Sequence, residues 1–300
     1  MLRIMNRLYL KSATGQLARL LLALVVVRST ADAMVITPTF DATLTPAEIS
    51  VINTAIAFYE STFTNPITVR IRFAKTTNGL GLSSPALSII PYETFITALR
   101  GSASSADDAL AFSDGRLPVS TTNPVNGLTT IGINIANIHA LGISGFPDSG
   151  GFDGVVSLNT SIMDVNGGPF SMISTVEHEI DEVLGLGSGL PRIGPPLPED
   201  LFRYGADPNV RNFTINLSCN TAPHAYLSID GTTHLNEFNN CNGDDYGDWV
   251  SHTPSQVQDA VTNGTGAPFL TLASTETRAL DIIGYSIVPQ KKVHGQITSN

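Results

Sequence analysis

One stretch of the chain combines residue types and spacing that could hold a metal ion. His178 and Glu182 are four positions apart, and side chains at i and i+4 leave a helix on the same face. An imidazole nitrogen and a carboxylate oxygen are both ligands of divalent metals. Glu179 would lie beside them, where it could take a proton from a metal-bound water. The string is the H-E-x-x-H metal motif with glutamate replacing the second histidine.

This motif lies in the strongest helical pattern of the chain. Ile173, Val176 and Ile180 recur at helical spacing, which predicts a helix over 172–184 that ends at Gly185. The alternative interpretation of its acidic residues is a face solvated by water. However, Glu177, Asp181 and Glu182 have no lysine partner on this helix. Because like charges this close repel one another, the pattern favours a cation nearby.

Other periodic segments indicate an α+β protein. A capping box at Thr45 and Glu48 predicts a helix over 46–62, and alternation of apolar and polar residues predicts a strand over 67–73. Shorter segments also match helical or strand periods, and we expect helices at 92–99 and 274–283, a helical turn at 136–141, and strands at 130–135 and 154–159.

The mature chain divides by composition near residue 186. An N-terminal α+β subdomain is expected over 34–186. Residues 187–270 are rich in Pro, Gly, Asn and Asp, which predicts an irregular C-terminal subdomain over 187–288. Residues 289–300 form a polar tail.

Residues 1–33 are typical of a secretory signal peptide. A basic segment precedes the apolar run 20–27, and Ala31-Asp32-Ala33 supplies a cleavage pattern. Eight apolar residues are too few to span a membrane, which needs about 20. We therefore expect a secreted protein whose mature form is not in a membrane. Cys219 and Cys241 are the only cysteines, and an even pair in an exported chain predicts one disulfide rather than two buried thiols.

The charge of the chain narrows its partners. The 300 residues carry 16 basic and 26 acidic side chains, a formal net charge of −10. Nucleic acids and anionic membranes attract basic patches, so this balance argues against both as the main partner.

Longer strings resemble a family of exported bacterial metalloproteases, related in style to the leishmanolysin-like metzincins. The helix of that family reads H-E-I-G-H-A-L-G and is followed by S-H-W and I-M-D-P; here His178–Gly185 reads H-E-I-D-E-V-L-G. The resemblance covers nearly the whole mature chain. It includes Leu117-Pro118, Ala136–Gly142, Phe152–Asn159, Asp200–Tyr204, Tyr226–Gly231 and Ala279–Tyr285.

The resemblance implies a role for individual residues. His178 falls on the first metal ligand, Glu179 on the general base and Glu182 on the second ligand. Gly247-Asp248-Trp249 falls on S-H-W, so Asp248 takes the third ligand place, with His252 as an alternative.

Two further positions depart from the family pattern. Gln258-Asp259 falls on the Met-Asp turn, so the methionine below the metal is missing. Ser188, where a compact metzincin has a histidine, is not a credible ligand.

The fold implied is a metzincin-like zincin, with a twisted mixed sheet, a long active-site helix and an irregular C-terminal subdomain. The activity implied is hydrolysis of peptide bonds in a polypeptide substrate by a metal-activated water, with Glu179 as general base. The expected metal is zinc, although carboxylate ligands narrow its advantage over manganese and other oxygen-preferring ions. Two alternatives stay open: an inactive binding or adhesion module on the same scaffold, and a metal-binding protein without hydrolytic activity.

Overall fold

Helix α1 (Pro46–Thr62) begins as its sequence predicts. The Thr45 hydroxyl accepts a hydrogen bond from Glu48 N, and the Glu48 carboxylate accepts one from Thr45 N, which completes the capping box. The computed structural model describes residues 33–146, 150–168, 170–191, 194–215, 222–241, 244–262 and 268–289. All but the last residue of the predicted signal peptide, and nearly all of the polar tail, lie outside those ranges.

The described residues form a mixed α+β structure. Its other helices are α2 (Tyr92–Ser102), α3 (Ala106–Ala111), α4 (Ile135–Ala140), α5 (Met172–Leu184) and α6 (Thr275–Ile282). Its strands are β1 (Val35–Phe40), β2 (Thr68–Lys75), β3 (Gly81–Pro85), β4 (Leu87–Pro91), β5 (Thr130–Asn134), β6 (Gly154–Leu158), β7 (Arg203–Tyr204), β8 (Tyr226–Leu227) and β9 (Asn236–Glu237). The predicted helices, helical turn and strands are confirmed, whereas α3 and six strands were not predicted, namely β1, β3, β4, β7, β8 and β9.

The main sheet is mixed and has the strand order β1-β2-β6-β3. Strands β1, β2 and β6 are parallel, and β3 runs antiparallel to β6 at the edge. Helix α5 packs against β3, β6 and α1. Val176, Ile180 and Val183 of its apolar stripe are fully buried, and Ile173 is partly buried. The helix ends at Gly185 with φ +134°, as predicted. Strand β5 pairs with β4 in a separate two-stranded sheet.

Helices α1 and α5 are joined by a buried polar contact. The Tyr59 hydroxyl lies 2.7 Å from the Glu177 carbonyl oxygen and 2.9 Å from Asp181 Oδ1. Burial raises the pKa of Asp181 well above its ordinary value, and the Glu276 carboxylate adds to that rise. The protonated form is therefore more stable at this α5 residue than it is for an exposed aspartate.

In the described residues of 187–288 helices and strands are few and short, yet these residues share the core. Leu201, Leu227 and Trp249 belong to the same buried cluster as the residues of α5. The Arg203 guanidinium is buried over the Phe238 ring and donates to the carbonyl oxygens of Tyr246 and Asn239. These bonds anchor the backbone at Asn239 and at Tyr246, because they satisfy the carbonyl oxygens of those two residues.

Two predictions about the ends and loops of the chain can be compared with this structure. Cys241 is disulfide-bonded, and Cys219, its predicted partner, lies outside the described residues. Within the described ranges, no helix combines the length and hydropathy needed to cross a bilayer.

Asp281 of α6 generates a prediction about stability. It lies against the start of α3, and burial raises its pKa to about 7, helped by the Asp108 and Asp107 carboxylates. The folded protein therefore binds more protons at this residue than the unfolded chain does between about pH 4 and 7, and stability falls as pH rises through that window. We expect Asp281→Asn to remove this fall, which amounts to at most about 1.4 kcal/mol per pH unit.

Urea unfolding of both proteins at several pH values measures the effect. Asp207→Asn, at an exposed position, is the matched control. The same pH slope in Asp281→Asn and the unmodified protein would contradict the prediction.

Candidate metal centre and catalytic cleft

Three of the residues predicted to bind metal meet at the surface of α5. His178 Nε2 lies 3.6 Å from Glu182 Oε1 and 3.6 Å from Asp248 Oδ1, and the ligand atoms of all three residues lie within 4.8 Å of one another. We call them the cation group. Two atoms that bind one tetrahedral ion with bonds of about 2.0–2.1 Å lie about 3.4 Å apart. The observed separations thus fit a shared divalent ion with small adjustments.

The imidazole of His178 is oriented for binding a cation. Its Nδ1 lies 3.0 Å from the carbonyl oxygen of Val257. A carbonyl oxygen only accepts hydrogen bonds, so Nδ1 carries the proton, and in the neutral ring Nε2 keeps a free lone pair facing Glu182 and Asp248. A hydrogen bond of this kind fixes the tautomer and orientation of a metal-binding histidine.

The cation group places two carboxylic side chains beside one imidazole. Burial opposes a charged His178, but the Asp248 and Glu182 carboxylates outweigh it and raise the pKa of His178 well above its ordinary value. A cation that binds Nε2 therefore has to displace a proton from it. The charge of the cation then replaces the charge of that proton in compensating the two carboxylates. The donor set of one nitrogen and two oxygens fits a divalent ion without determining which one.

Glu179 lies next to this group and does not belong to it. Its side chain packs against β3 where that strand has Gly81, since a Cβ at this position would lie only 2.1 Å from Glu179 Oε1. Oε2 is buried and has no hydrogen-bond partner. Burial raises the pKa of Glu179 to about 9, and the Glu182 carboxylate contributes to the rise. A positive charge in the cation group would lower this pKa again.

A close contact between two glycine-containing loops brings Asp248 to α5. A Cβ at Gly247 would lie 2.4 Å from Gly187 Cα and 2.8 Å from Ser188 N, distances that no side chain tolerates. Gly187 is held in turn because its N donates to Glu199 Oε2 at 2.6 Å. The loop that follows α5 therefore sets the position of the loop that supplies Asp248.

Trp249, the next residue, ties the Asp248 loop to the segment below His178. Its ring is fully buried against Phe238. Its backbone N–H donates to the carbonyl oxygen of Gln258 at 2.8 Å. The indole N–H and Gln258 N both donate to Glu276 Oε1, at 3.3 and 3.1 Å. This network fixes the spacing between Asp248 and the 257–258 segment.

The cation group opens onto a cleft of about 920 Å³. The side chains of His178 and Glu182 are 16% and 14% exposed and that of Asp248 is 7% exposed, so the group is reachable from the cleft while largely shielded from water. Acidic residues dominate its charged lining. Among the described residues that line it, no lysine or arginine occurs, and the carboxylates are Glu179, Glu182, Asp244, Asp245, Asp248 and Asp259.

The remaining candidates lie outside the cation group. His252, the alternative third ligand, pairs through Nδ1 with Asp259 Oδ1 at 2.6 Å. Ser188 donates its hydroxyl hydrogen to Asp200 Oδ1, which agrees with its exclusion as a ligand.

Sequence reasoning missed several contributors to this site. The Val257 carbonyl oxygen has no side-chain signal, and β3 is short and poor in β-branched residues. Gly81 and Gly247 were visible only as glycines in turn-like strings. Their close approaches to Glu179 and Gly187 depend on chain segments distant in sequence.

Removal of one predicted ligand tests the cation group. We expect Glu182→Ala to weaken divalent-cation binding at least ~10-fold, because it deletes one of two anionic ligands. Glu237→Ala is the matched control, since Glu237 also pairs with a histidine, His224, outside the cleft lining. Equilibrium dialysis with metal analysis measures both. Equal cation content in the two variants would show that Glu182 is not a ligand.

The glycine contact yields a second test. We expect Gly247→Ala to weaken cation binding at least ~10-fold, since the new methyl group pushes the Asp248 loop away from Gly187. Gly101→Ala, in α2 with open space around the position, should leave binding unchanged. Isothermal titration calorimetry gives the affinities, and circular dichroism gives the folded fraction. Unaltered affinity in a folded Gly247→Ala protein would contradict the contact.

A search of protein-family models finds no matching family, and searches of curated proteins and of solved structures find no similar chain. The resemblance to exported metalloproteases therefore stays a prediction from sequence strings. Any function assigned to the cleft has to rest on its geometry.

Proposed function

We propose that this protein is a secreted metal-dependent peptidase. His178, Glu182 and Asp248 hold a divalent cation, and Glu179 is the general base. The observation that carries the proposal is the meeting of three ligand atoms beside the buried carboxylate of Glu179, all lining one cleft. Export rests on the signal peptide predicted for residues 1–33.

The chemistry divides between the cation and the chain. A divalent cation in the group would supply Lewis acidity, which polarises a peptide carbonyl and acidifies water. Glu179 takes a proton from the attacking water at its carboxylate and passes that proton to the departing amine nitrogen. To accept the proton it has to be ionised, and the cation charge beside it supplies the stabilisation that offsets its burial.

The edge of the sheet offers a place for an extended polypeptide. Strand β3 is an edge strand, and its residues Gly81, Leu82, Ser83 and Pro85 line the cleft. An edge strand presents unpaired N–H and C=O groups that a second extended chain can pair with. A peptide bound in this way would run past Glu179, because Gly81 packs directly on its carboxylate.

The cleft lining also indicates which side chains such a substrate carries. Several apolar side chains on its rim are more than two-fifths exposed, namely Leu82, Leu87, Ile162, Phe170 and Val261. Exposed apolar residues clustered around a cleft are typical of a binding surface. With the acidic lining, this favours substrates with apolar side chains and without a net negative charge.

Replacement of Glu179 by its neutral isostere tests the catalytic assignment. We expect Glu179→Gln to keep its cation and to lose turnover by ~10²- to 10⁴-fold, the usual contribution of a general base. Glu93→Gln, at an exposed position of α2, is the matched control. Cleavage of an unfolded protein and a peptide library, read by mass spectrometry, measures turnover, and metal analysis confirms loading.

The same experiment separates the alternatives. A Glu179→Gln protein as active as the control would contradict the mechanism. Cation binding without turnover in the unmodified protein would favour a metal-binding protein that does not hydrolyse peptides. If the unmodified protein showed neither cation binding nor turnover, a binding or adhesion module on this scaffold would be favoured.

A further inference from the structure

Gln258 places an amide directly beneath the cation group. The residue is fully buried, and its Nε2 lies 2.8 Å from Asp248 Oδ1 and 3.5 Å from His178 Nε2. These are the same two atoms that face each other across the cation group at 3.6 Å. The amide is therefore within bonding reach of the position that a shared cation would take.

The other atom of this amide is unsatisfied. Gln258 Oε1 is buried and has no hydrogen-bond partner, and a buried carbonyl without a partner carries a desolvation penalty. Rotation of the amide by half a turn exchanges the places of oxygen and nitrogen without moving any other atom. In the orientation seen here the –NH₂ group faces Asp248 and His178, which suits a group of hydrogen-bond acceptors. A cation among those acceptors would favour the other orientation, with the amide oxygen facing it, because the –NH₂ group cannot bind a cation.

The backbone around Gln258 leaves the side chain little other freedom. Gln258 N donates to Glu276 Oε1 at 3.1 Å, and its carbonyl oxygen accepts from Trp249 N at 2.8 Å. The carbonyl oxygen of the preceding residue, Val257, accepts a hydrogen bond from His178 Nδ1. The same short segment thus orients the imidazole and presents the amide to the cation group.

We infer that Gln258 is a fourth protein ligand through its side-chain oxygen, and that the site takes a six-coordinate, oxygen-preferring divalent cation of the Mn²⁺ class. The donor set becomes one nitrogen and three oxygens, and carboxylate and amide oxygens suit such ions better than they suit tetrahedral zinc. An octahedral ion with bonds of about 2.1 Å separates adjacent ligand atoms by about 3.0 Å. The 2.8 Å between the Gln258 amide and Asp248 Oδ1 lies close to that value, whereas the separations of 3.5 and 3.6 Å from His178 Nε2 would have to shorten on binding.

The inference deepens the proposed function, because it rests on the same cation group. It does not depend on peptide hydrolysis. Four protein ligands would close a tetrahedral site, whereas six-coordination leaves two positions open for water and a substrate carbonyl. The amide ligand is thus compatible with a catalytic cation of the six-coordinate class.

The test is the affinity of the full chain for Mn²⁺ and for Zn²⁺, measured by calorimetry after removal of bound metal with a chelator. Gln258→Met keeps the volume and removes the oxygen. We expect it to weaken Mn²⁺ binding at least ~10-fold and Zn²⁺ binding by less than ~3-fold. Gln256→Met is the control and should match the unmodified protein. Gln256 lies two residues before Gln258 in the chain, and its side-chain oxygen accepts a hydrogen bond from Asn236 Nδ2 instead.

Gln258→Glu distinguishes a ligand from a hydrogen-bond donor. An ionised glutamate offers an oxygen to a cation and cannot donate to Asp248, so we expect this variant to retain Mn²⁺ binding. Equal losses of Mn²⁺ affinity in the Met and Glu variants would overturn the inference, because Gln258 would then act only by donating to Asp248. Unchanged affinities in both would also overturn it.

Two measurements keep the inference testable if the methionine variant does not fold. Gln258→Glu alone still reports on the donor role. X-ray absorption of the Mn²⁺-loaded unmodified protein counts the directly bound atoms, and six atoms support the inference whereas four overturn it. If the unmodified protein binds neither cation, this inference and the cation group both fail. If the affinities change as expected without any peptide cleavage, only the proposed function fails.

Discussion

Three carboxylates share one small volume with a single imidazole, and their mutual repulsion is the constraint around which the cleft is built. Glu179 and Asp248 are buried, and Glu182 is largely shielded, so water compensates their charges poorly. No lysine or arginine occurs in the described part of the cleft lining. The repulsion therefore has to be relieved by protons, by the charge of His178 or by a bound cation. A divalent cation relieves it most completely, which is why we propose metal chemistry for the cleft.

Three segments that contact one another maintain this arrangement: helix α5, the loop that contains Asp248, and the 257–258 segment. Helix α5 presents His178 and Glu182 from a face opposite its buried apolar stripe. The contact of Gly247 with Gly187 brings Asp248 against the end of that helix. Trp249 then joins the Asp248 loop to the 257–258 segment, whose backbone and amide contact His178 and Asp248. These contacts hold the three segments together. The ligand atoms therefore lie close to one another without the need for a bound cation to connect the segments.

Much of the fold could be predicted because its signals are local. The Thr45 and Glu48 capping box, the helical stripe that contains Val176 and the alternation over β2 each involve residues within a few positions of one another. Strand β3 carried no such signal, since G-L-S-S-P lacks both alternation and β-branched residues. It becomes a strand because β6 supplies hydrogen-bond partners and α5 covers it. Its importance beside Glu179 could not be read from its own residues.

The sequence by itself determined that His178, Glu179 and Glu182 leave one helix together, because the helical period places i and i+4 on the same face. It also determined that this helix ends at Gly185, and it determined the mixed α+β character. Only the tertiary structure decided that Asp248, rather than His252, joins them, and that Gln258 lies beneath. Those placements depend on a glycine-to-glycine contact and on a buried indole bonded to Glu276. Both bring together residues tens of positions apart, and local periodicity carries no information about such distances.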